Sequence, residues 1–560
     1  VNRVLYRDGS VYSPADPFAT AVLVEGSSVA WVGSEEGADA QVARSRGAAG
    51  EALEVVGLEG ALVTPAFVDA HVHTTETGLA LDGVDLSGAT SLADALDRVA
   101  AAAAARPGQL LLGSGWDETR WPEQRPPSAA ELDRAAGGAE VYLARTDIHS
   151  AVVSSALAER AGLAAAATTP GWDGRVERDD HHAARDAAHV HLRSDPARRR
   201  ELQTLALRAA AAAGIGSVHE CAAPHVGSPE DLSDLVALSR GLDEGGALPE
   251  VLALWGELVA SEEEARALVD RLDLPSGVLL GLGGDLCVDG ALGSRTALLR
   301  EPYSDAPAGS PAPSGHGYLD AAALRDHVVA CTRAGLQAGV HAIGDAGVAL
   351  ALEGFALAAE VLGAPAVAGA RHRLEHVTGV DAAGIATMAR LGLVASVQPA
   401  FDAAWGGPDG VYATRLGRER ALALHPFAPL AAAGVPLALG SDSPVTPFAP
   451  WEAVRAAAFP HVREHAVSAR AAFTASTRGG WRAARRDGEG ALVPGAPATL
   501  AVWAPSDLVV QAPDDRFQAW STDARSGTPG LPDLTPGTPA PRCLRTLVRG
   551  ATAHDAGVLS

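Results

Sequence analysis

Five side chains in this 560-residue sequence have the types and positions needed to hold a divalent metal ion. His71 and His73 form a His-x-His pair in Phe67-Val68-Asp69-Ala70-His71-Val72-His73. In an extended strand residues i and i+2 face the same way, so both imidazoles point together while Val72 points into the opposite layer. Taken alone, such a pair reads equally well as two polar histidines at a strand end. His341 closes the apolar run 336–341, His376 closes 371–376, and Asp442 closes 436–442. Imidazole suits a divalent transition metal, with bonds of about 2.0–2.1 Å to zinc. Four histidines and an aspartate at the ends of four strand candidates are hard to obtain from packing alone.

A scaffold for these groups must bring the ends of distant strands to one rim. The sequence offers eight candidates for buried strands, at 61–73, 215–220, 250–255, 282–288, 336–341, 371–376, 393–398 and 436–442. Helical stretches alternate with them; Ser261 and Glu264, for example, have the spacing of a capping box. Repeated strand-helix units predict a parallel sheet covered by helices, and eight is the number of a TIM barrel, whose active sites lie at the C-terminal ends of the strands. Two further strand-like pieces, 109–115 and 140–146, fall between the first and second of these and predict an insertion over the barrel mouth at about 80–210. The first sixty residues read as short strands at 3–6, 19–25, 28–33 and 53–57, and similar text returns at 498–504, 508–511 and 543–550 around a loop at 526–541. The expected fold is therefore α/β: a (β/α)8 TIM-like barrel over 61–489, with a small β-sandwich domain built from both termini, 1–60 and 490–560.

Composition narrows the chemistry. Against 68 acidic residues stand 44 basic ones, and the formal charge of −24 repels phosphate backbones and anionic lipid surfaces. A small-molecule substrate is expected, with no nucleic-acid or membrane partner. The opening residues show no apolar leader, and a cytoplasmic protein is expected. Cys221, Cys287, Cys331 and Cys543 are scattered and predict reduced, buried thiols. All 44 basic residues are arginine, so chemistry that requires lysine is excluded.

At this point the chain resembles the amidohydrolase superfamily, and specifically its YtcJ-like branch, amidohydrolase family 3. The resemblance rests on residues 63–73, on Asp289-Gly290-Ala291-Leu292-Gly293-Ser294-Arg295-Thr296-Ala297, on His341-Ala342-Ile343-Gly344-Asp345, and on His372-Arg373-Leu374-Glu375-His376. Ser396-Val397-Gln398-Pro399 and Gly440-Ser441-Asp442-Ser443-Pro444 complete it. The resemblance implies that His71, His73, His341 and His376 are metal ligands with Asp442, and that Asp442 also shuttles a proton between a metal-activated water and the leaving nitrogen. Many members carry a lysine four residues before the Asp-Gly of the fourth strand, where its carbamate can bridge two metals. Here that residue is Asp285, whose shorter carboxylate could bridge in its place. One metal, expected to be zinc, is therefore favoured, and a second is possible.

The function so implied is hydrolysis of C–N bonds in amides, N-acyl or N-formyl compounds, or cyclic ureides. A deaminase or lyase on the same single-metal site is the alternative within enzymes, and a catalytically silent binding protein the alternative outside them. Trp116, His149 and Arg295 are weaker candidates for substrate contact. His219-Glu220 reads either as support for a ligand or as a structural pair, and Asp402 and Trp405 follow the seventh strand. The patch of His181, His182, His189 and His191 reads as a solvated loop and helix face. Exposed helices on a barrel often support a homodimer.

Overall fold

A computed structural model describes residues 2–47, 53–163, 172–241, 246–307, 309–511, 520–521 and 528–560. Its centre is a nearly closed parallel barrel of eight strands: β1 (Phe67–Val72), β2 (Ile215–Ala222), β3 (Glu250–Trp255), β4 (Leu279–Leu282), β5 (Gln337–Ala342), β6 (Arg373–His376), β7 (Val394–Val397) and β8 (Leu437–Leu439). Neighbours in sequence are neighbours in the sheet. Beyond β8 the chain meets β1 again, Asp442 N donating to His71 O at 2.8 Å and His73 N to Ser443 O at 2.9 Å. Every residue of β2 and β5 is buried, as expected for a sheet covered by helices on its outer face.

Local chemistry sets the helix starts. Ser261 Oγ accepts from Glu264 N at 3.2 Å to open the helix Glu262–Leu272, while the Glu264 carboxylate accepts from Ala260 N at 2.8 Å, one residue before the cap. Asp320 opens Ala321–Arg333 in the same way, its carboxylate accepting from Ala323 N at 2.8 Å.

Two strand boundaries differ from the sequence expectation. The run 61–73 divides: Leu62–Pro65 pairs antiparallel with Leu500–Trp503 in a terminal sheet, and only Phe67–Val72 enters the barrel. Ala66 is where the chain changes sheets. The regular fourth strand is Leu279–Leu282, interrupted where Gly284 adopts φ 78°; the expected 282–288 stretch returns to β5 only at its end, Val288 N donating to His341 O at 2.9 Å and His341 N to Leu286 O at 3.1 Å. A side chain at Gly283 would collide with the Gly339 backbone, its Cβ 2.4 Å from N. That close approach carries Asp285 over the barrel mouth.

The terminal segments form a four-stranded sheet (Ser28–Gly33, Ala21–Glu25, Arg3–Arg7, Leu53–Gly57) and a five-stranded sheet (Ser10–Val11, Leu62–Pro65, Leu500–Trp503, Cys543–Val548, Ala551–Asp555). One buried cluster, including Tyr6, Val24, Val63, Leu500 and Leu547, joins them. A helix, Glu35–Gly47, was not expected; its acidic first turn (Glu35, Glu36) and basic last turn (Arg44, Arg46) complement the helix dipole. The mouth insertion contains a five-stranded sheet in the order Arg175–Glu177, Ser150–Val153, Val141–Arg145, Leu111–Trp116, Val84–Asp85, with its own buried clusters on the two sides. Among the described residues no single helix is long and apolar enough to cross a membrane.

Trp503 joins the terminal sheets to the barrel. It is 2% exposed, its indole N–H donates to Thr64 Oγ1 at 2.9 Å, and its ring meets Phe67 and Trp451 edge-on at 5.7 and 5.4 Å. Trp503→Ala leaves a cavity there and is expected to cost about 3–5 kcal/mol. The midpoint of urea unfolding measures it; a loss under about 1 kcal/mol would show that the contact is not a structural joint.

Candidate metal centre

The side chains at the strand ends do converge. His71 Nε2 lies 3.4 Å from Asp285 Oδ1 and 3.5 Å from Asp442 Oδ1, and His73 Nε2 lies 3.3 Å from Asp285 Oδ2 and 3.1 Å from Asp442 Oδ1. His341 Nδ1 is 3.9 Å from Asp285 Oδ1, and its ring centre is 4.4 Å from that of His376. Among the described residues four overlapping groups could each hold a cation: His71, His73 and Asp285; His71, His376 and Asp442; Asp285, His341 and His376; and, deeper in the barrel wall, His71, Cys221 and Glu375. Asp285 is shared by the first and third of these. Its arm is short, but the inward turn at Gly283-Gly284 brings the backbone to the centre instead.

Three of the four histidines are oriented by a bond on the other side of the ring, whereas His73 Nδ1 is buried without a hydrogen-bond partner. His71 Nδ1 is hydrogen-bonded to Glu375 Oε2 at 3.0 Å, which fixes the proton on Nδ1 and leaves Nε2 facing the centre. His376 Nδ1 meets Gln398 Oε1 at 2.8 Å, and His341 Nε2 meets Gly290 O at 3.3 Å. Glu375 is itself clamped by Arg373, whose Nε and Nη2 donate to its two oxygens at 2.9 and 3.0 Å. Burial pushes the Glu375 carboxyl up, but the adjoining guanidinium and His71 outweigh it and hold the group well below the usual carboxylate range. Likewise burial opposes ionisation of Asp285, and His73, His341 and His71 overcome it.

Backbone geometry completes the aim. Alternation along β6 would put Glu375 and His376 on opposite faces, yet His376 has φ 71° and Val377 φ 53°, so the strand ends in a left-handed turn. Asp442 has φ 57°. Such conformations cost on the order of 1–3 kcal/mol each in non-glycine residues and persist where the surroundings impose them. Asp69 Oδ1 accepts from Ser441 N at 2.8 Å and so fixes the approach to Asp442. Asp289 accepts from Ile343 N and Gly344 N at 2.9 and 2.8 Å and fixes the turn after His341.

The donor set fits a divalent cation on grounds of hydrogen bonding as well. His71 Nε2, Asp285 Oδ1 and Asp442 Oδ1 are all buried without a hydrogen-bond partner, and the imidazole nitrogen lies 3.4 and 3.5 Å from the two oxygens. Buried polar atoms of this kind call for a ligand.

The comparisons agree with that geometry. The sequence pattern of the amidohydrolase family matches residues 54–554. The chain belongs to the amidohydrolase family. It is 30% identical to the putative amidohydrolase YtcJ of Bacillus subtilis over 72% of this chain and 74% of that one, which places it in the YtcJ-like branch. It is 27% identical to an N-substituted formamide deformylase of Arthrobacter pascens, over 78% and 79% of the two chains. The crystal structure of an uncharacterized metal-dependent hydrolase from Pyrococcus furiosus aligns with a TM-score of 0.67 at 25% identity, covering 89% of this chain and 98% of that one.

Other expected contacts of this amidohydrolase fall differently. Trp116 is 1% exposed, its N–H donates to Leu143 O at 2.8 Å, and it packs with Trp121 in the core of the insertion. Arg295 is held by Asp305 through bonds of 3.0 and 2.7 Å, the ion-pair arrangement. His149 does reach the site, its ring centre 5.5 Å from that of His341. The histidine patch is only partly a solvated face: His182 is exposed, His189 half-buried and His181 buried. It lies on the helix Arg178–Ser194, where His181 is buried against the Tyr142 hydroxyl at 2.7 Å and His182 lines a cavity leading to Asp285; the side chain of His191 lies outside the described residues. Cys287 lines the same cavity and is only partly buried, unlike the other three thiols. His219 Nδ1 accepts from Arg373 Nη1 at 2.9 Å, and Glu220 accepts from Thr74 N at 2.8 Å. The sequence reading passed over Glu375 and Arg373 as functional residues. Their two-residue spacing on a strand that ends in a ligand was the available signal.

Glu375→Gln keeps the size of the side chain but removes the charge that Arg373 and His71 share. Metal affinity is expected to fall about 10–100-fold, as measured by competition with a chromogenic chelator. Unchanged affinity would show that the Glu375–His71 bond does not orient the ligand.

Proposed function

We propose that this protein is a metal-dependent hydrolase of C–N bonds other than peptide bonds, acting on amides, N-acyl or N-formyl compounds, or cyclic ureides. His71, His73, His341, His376 and Asp442 form the ligand set, with Asp285 an additional carboxylate. The carrying observation is Asp442: a buried, strained residue after β8 whose Oδ1 has no hydrogen-bond partner and stands 3.1 Å from His73 Nε2 and 3.5 Å from His71 Nε2. The name of the Arthrobacter relative, a deformylase of N-substituted formamides, supports the bond class. The same reading treats the two terminal sheets as one sandwich carrying the barrel.

A divalent ion held there, for which zinc suits the imidazole-rich set, supplies a Lewis acid and lowers the pKa of the attacking water. Asp442 accepts a proton from that water and returns it to the nitrogen, so that the nitrogen leaves as a neutral amine rather than an amide anion. His149 reaches the mouth from the insertion and is placed to contact the substrate. A cavity of about 300 Å³ beside His73 and Asp285 suits a small molecule, and the formal charge of −24 disfavours nucleic acid.

Asp442→Asn is expected to lower turnover by about 10²–10⁴-fold while leaving the far-UV circular dichroism unchanged. A variant retaining most of its activity on a panel of amides and ureides would remove Asp442 from the reaction.

Without a bridging carbamate, a second cation close by meets a larger Coulomb repulsion. Elemental analysis after exhaustive dialysis is expected to give one metal per chain, with further uptake only at added metal and absent in Asp285→Asn. Two fully retained metals would overturn the single-ion reading.

A further inference from the structure

The mouth insertion brings to the metal centre one carboxylate that the reaction described above does not use. Asp147 shares the wall of a cavity with His341, His376 and Asp442, and two residues further on the ring centre of His149 is 5.5 Å from that of His341. Asp147 is 8% exposed. Its Oδ2 accepts from Arg145 Nη1 at 2.9 Å and from Ser294 Oγ at 2.8 Å, but its Oδ1 is buried without a partner. Leaving a buried carboxylate oxygen unpaired is costly, so this atom calls for a donor from outside the chain.

Charge decides what kind of donor. Arg145 lines the same cavity, yet its three nitrogens are already engaged, Nε with Glu118 Oε2 at 2.9 Å, Nη1 with Asp147 and Nη2 with Asp117 Oδ1 at 3.1 Å. Beside it Arg415 meets Asp305 at 2.6 Å and Glu118 at 3.5 Å, and Arg295 meets Asp305 at 2.7 Å. Among the described residues this cluster sets the carboxylates of Asp117, Glu118, Asp147 and Asp305 against three guanidiniums, so one negative charge is left over. Of these carboxylates only Asp147 lines the cavity. Burial opposes its ionisation, and Arg145 outweighs that and holds its pKa below the usual value, so it faces the cavity as an anion. A divalent ion at the centre does not cancel the surplus, because Asp285 and Asp442 offset that charge themselves.

We propose that Asp147 determines which substrates this site takes, its Oδ1 accepting from an ammonium group that the substrate carries close to the bond to be cleaved. This rests on the reading of the site as a metal-dependent C–N hydrolase. A water would satisfy Oδ1 as a hydrogen-bond acceptor but leave its charge unbalanced, whereas an ammonium does both. Phe401, Trp405 and Tyr412 stand on the same wall, and aromatic rings attract a cation where aliphatic walls do not. Either side of the C–N bond can carry the group. Asp147 reads its charge and not its side.

The test uses hydroxamates, which anchor on a metal and need no turnover, with the zinc-loaded protein near neutral pH. One series carries the ammonium on the acyl side, as the hydroxamates of β-alanine and γ-aminobutyrate; the other carries it on nitrogen, as N-aminoethyl- and N-aminopropyl-acetohydroxamate. Each compound is paired with the one that has methyl in place of ammonium, and calorimetry gives the ratio of the two affinities. In at least one series the ammonium compound is expected to bind about tenfold or more tighter than its methyl partner, and in Asp147→Asn that ratio is expected to fall to about one. A ratio taken within one preparation does not depend on how much of the variant is folded. Ratios of about one or less in both series on the unaltered protein would leave Oδ1 to water and overturn the assignment, as would a preference that survives Asp147→Asn. The same compounds separate this inference from the reading beneath it. If amides and ureides are not hydrolysed while the ammonium preference holds, the hydrolase reading fails and the role of Asp147 stands; if they are hydrolysed and no preference is found, the hydrolase reading stands and the role of Asp147 fails.

Discussion

A single buried guanidinium ties the rim of the barrel together. Arg373 on β6 donates to Glu375 on its own strand, to Ala70 O on β1 at 2.7 Å, to His219 on β2 at 2.9 Å and to Ser396 Oγ on β7 at 3.1 Å. Four strands are thus registered by one side chain that is itself wholly out of solvent. A planar fork with five N–H donors can do this, and a lysine ammonium cannot. Because Glu375 in turn holds His71, the position of the metal ligand follows from the same charge. Removing one partner of a buried pair typically costs about 3–5 kcal/mol, since it strands the other, so the frame and the site are coupled through this one group.

The histidines of the candidate metal centre were legible because they end runs of apolar residues, and a strand buried on both faces has few other reasons to end in imidazole. His71 and His73 obey simple alternation. Glu375 and His376 do not, because the left-handed turn at His376 lets adjacent residues serve the same centre, and no pattern of residue types announces it. Asp285 was legible as a position but not as a reach: side-chain length argued against it, and the backbone displacement at Gly283 supplied the missing distance. The histidine patch was legible only in part, since residues of one helix face look alike in sequence whether they stay exposed, as His182 does, or are buried, as His181 is. Trp116 misled in the opposite sense, because the insertion has a core of its own to fill.

The insertion is fastened to the barrel by charge. Arg145, 2% exposed, meets Asp117, Glu118 and Asp147, and Asp147 accepts from Ser294 Oγ at 2.8 Å on the loop after β4. Glu118 also meets Arg415, which follows β7, at 3.5 Å. Burial works against the charge on Arg145, and its three carboxylate partners outweigh that and raise its pKa. These bonds cross from the insertion to two barrel loops and bring His149 to the metal centre on a fixed strand-end rather than on a free loop.

The pairing of Leu62–Pro65 with Leu500–Trp503 has a consequence for how the chain is made. Thr64 and Trp503, hydrogen-bonded in the folded protein, are 439 residues apart in sequence. During synthesis the first of these strands leaves the ribosome long before its partner exists, so Val63, which lies opposite Val502 in the finished sheet, waits without that neighbour through translation of the whole barrel. Contacts of such sequence separation form late and slowly, and unpaired apolar strands are open to aggregation in the interval. The barrel must therefore reach a folded or chaperone-held state while its platform is still incomplete.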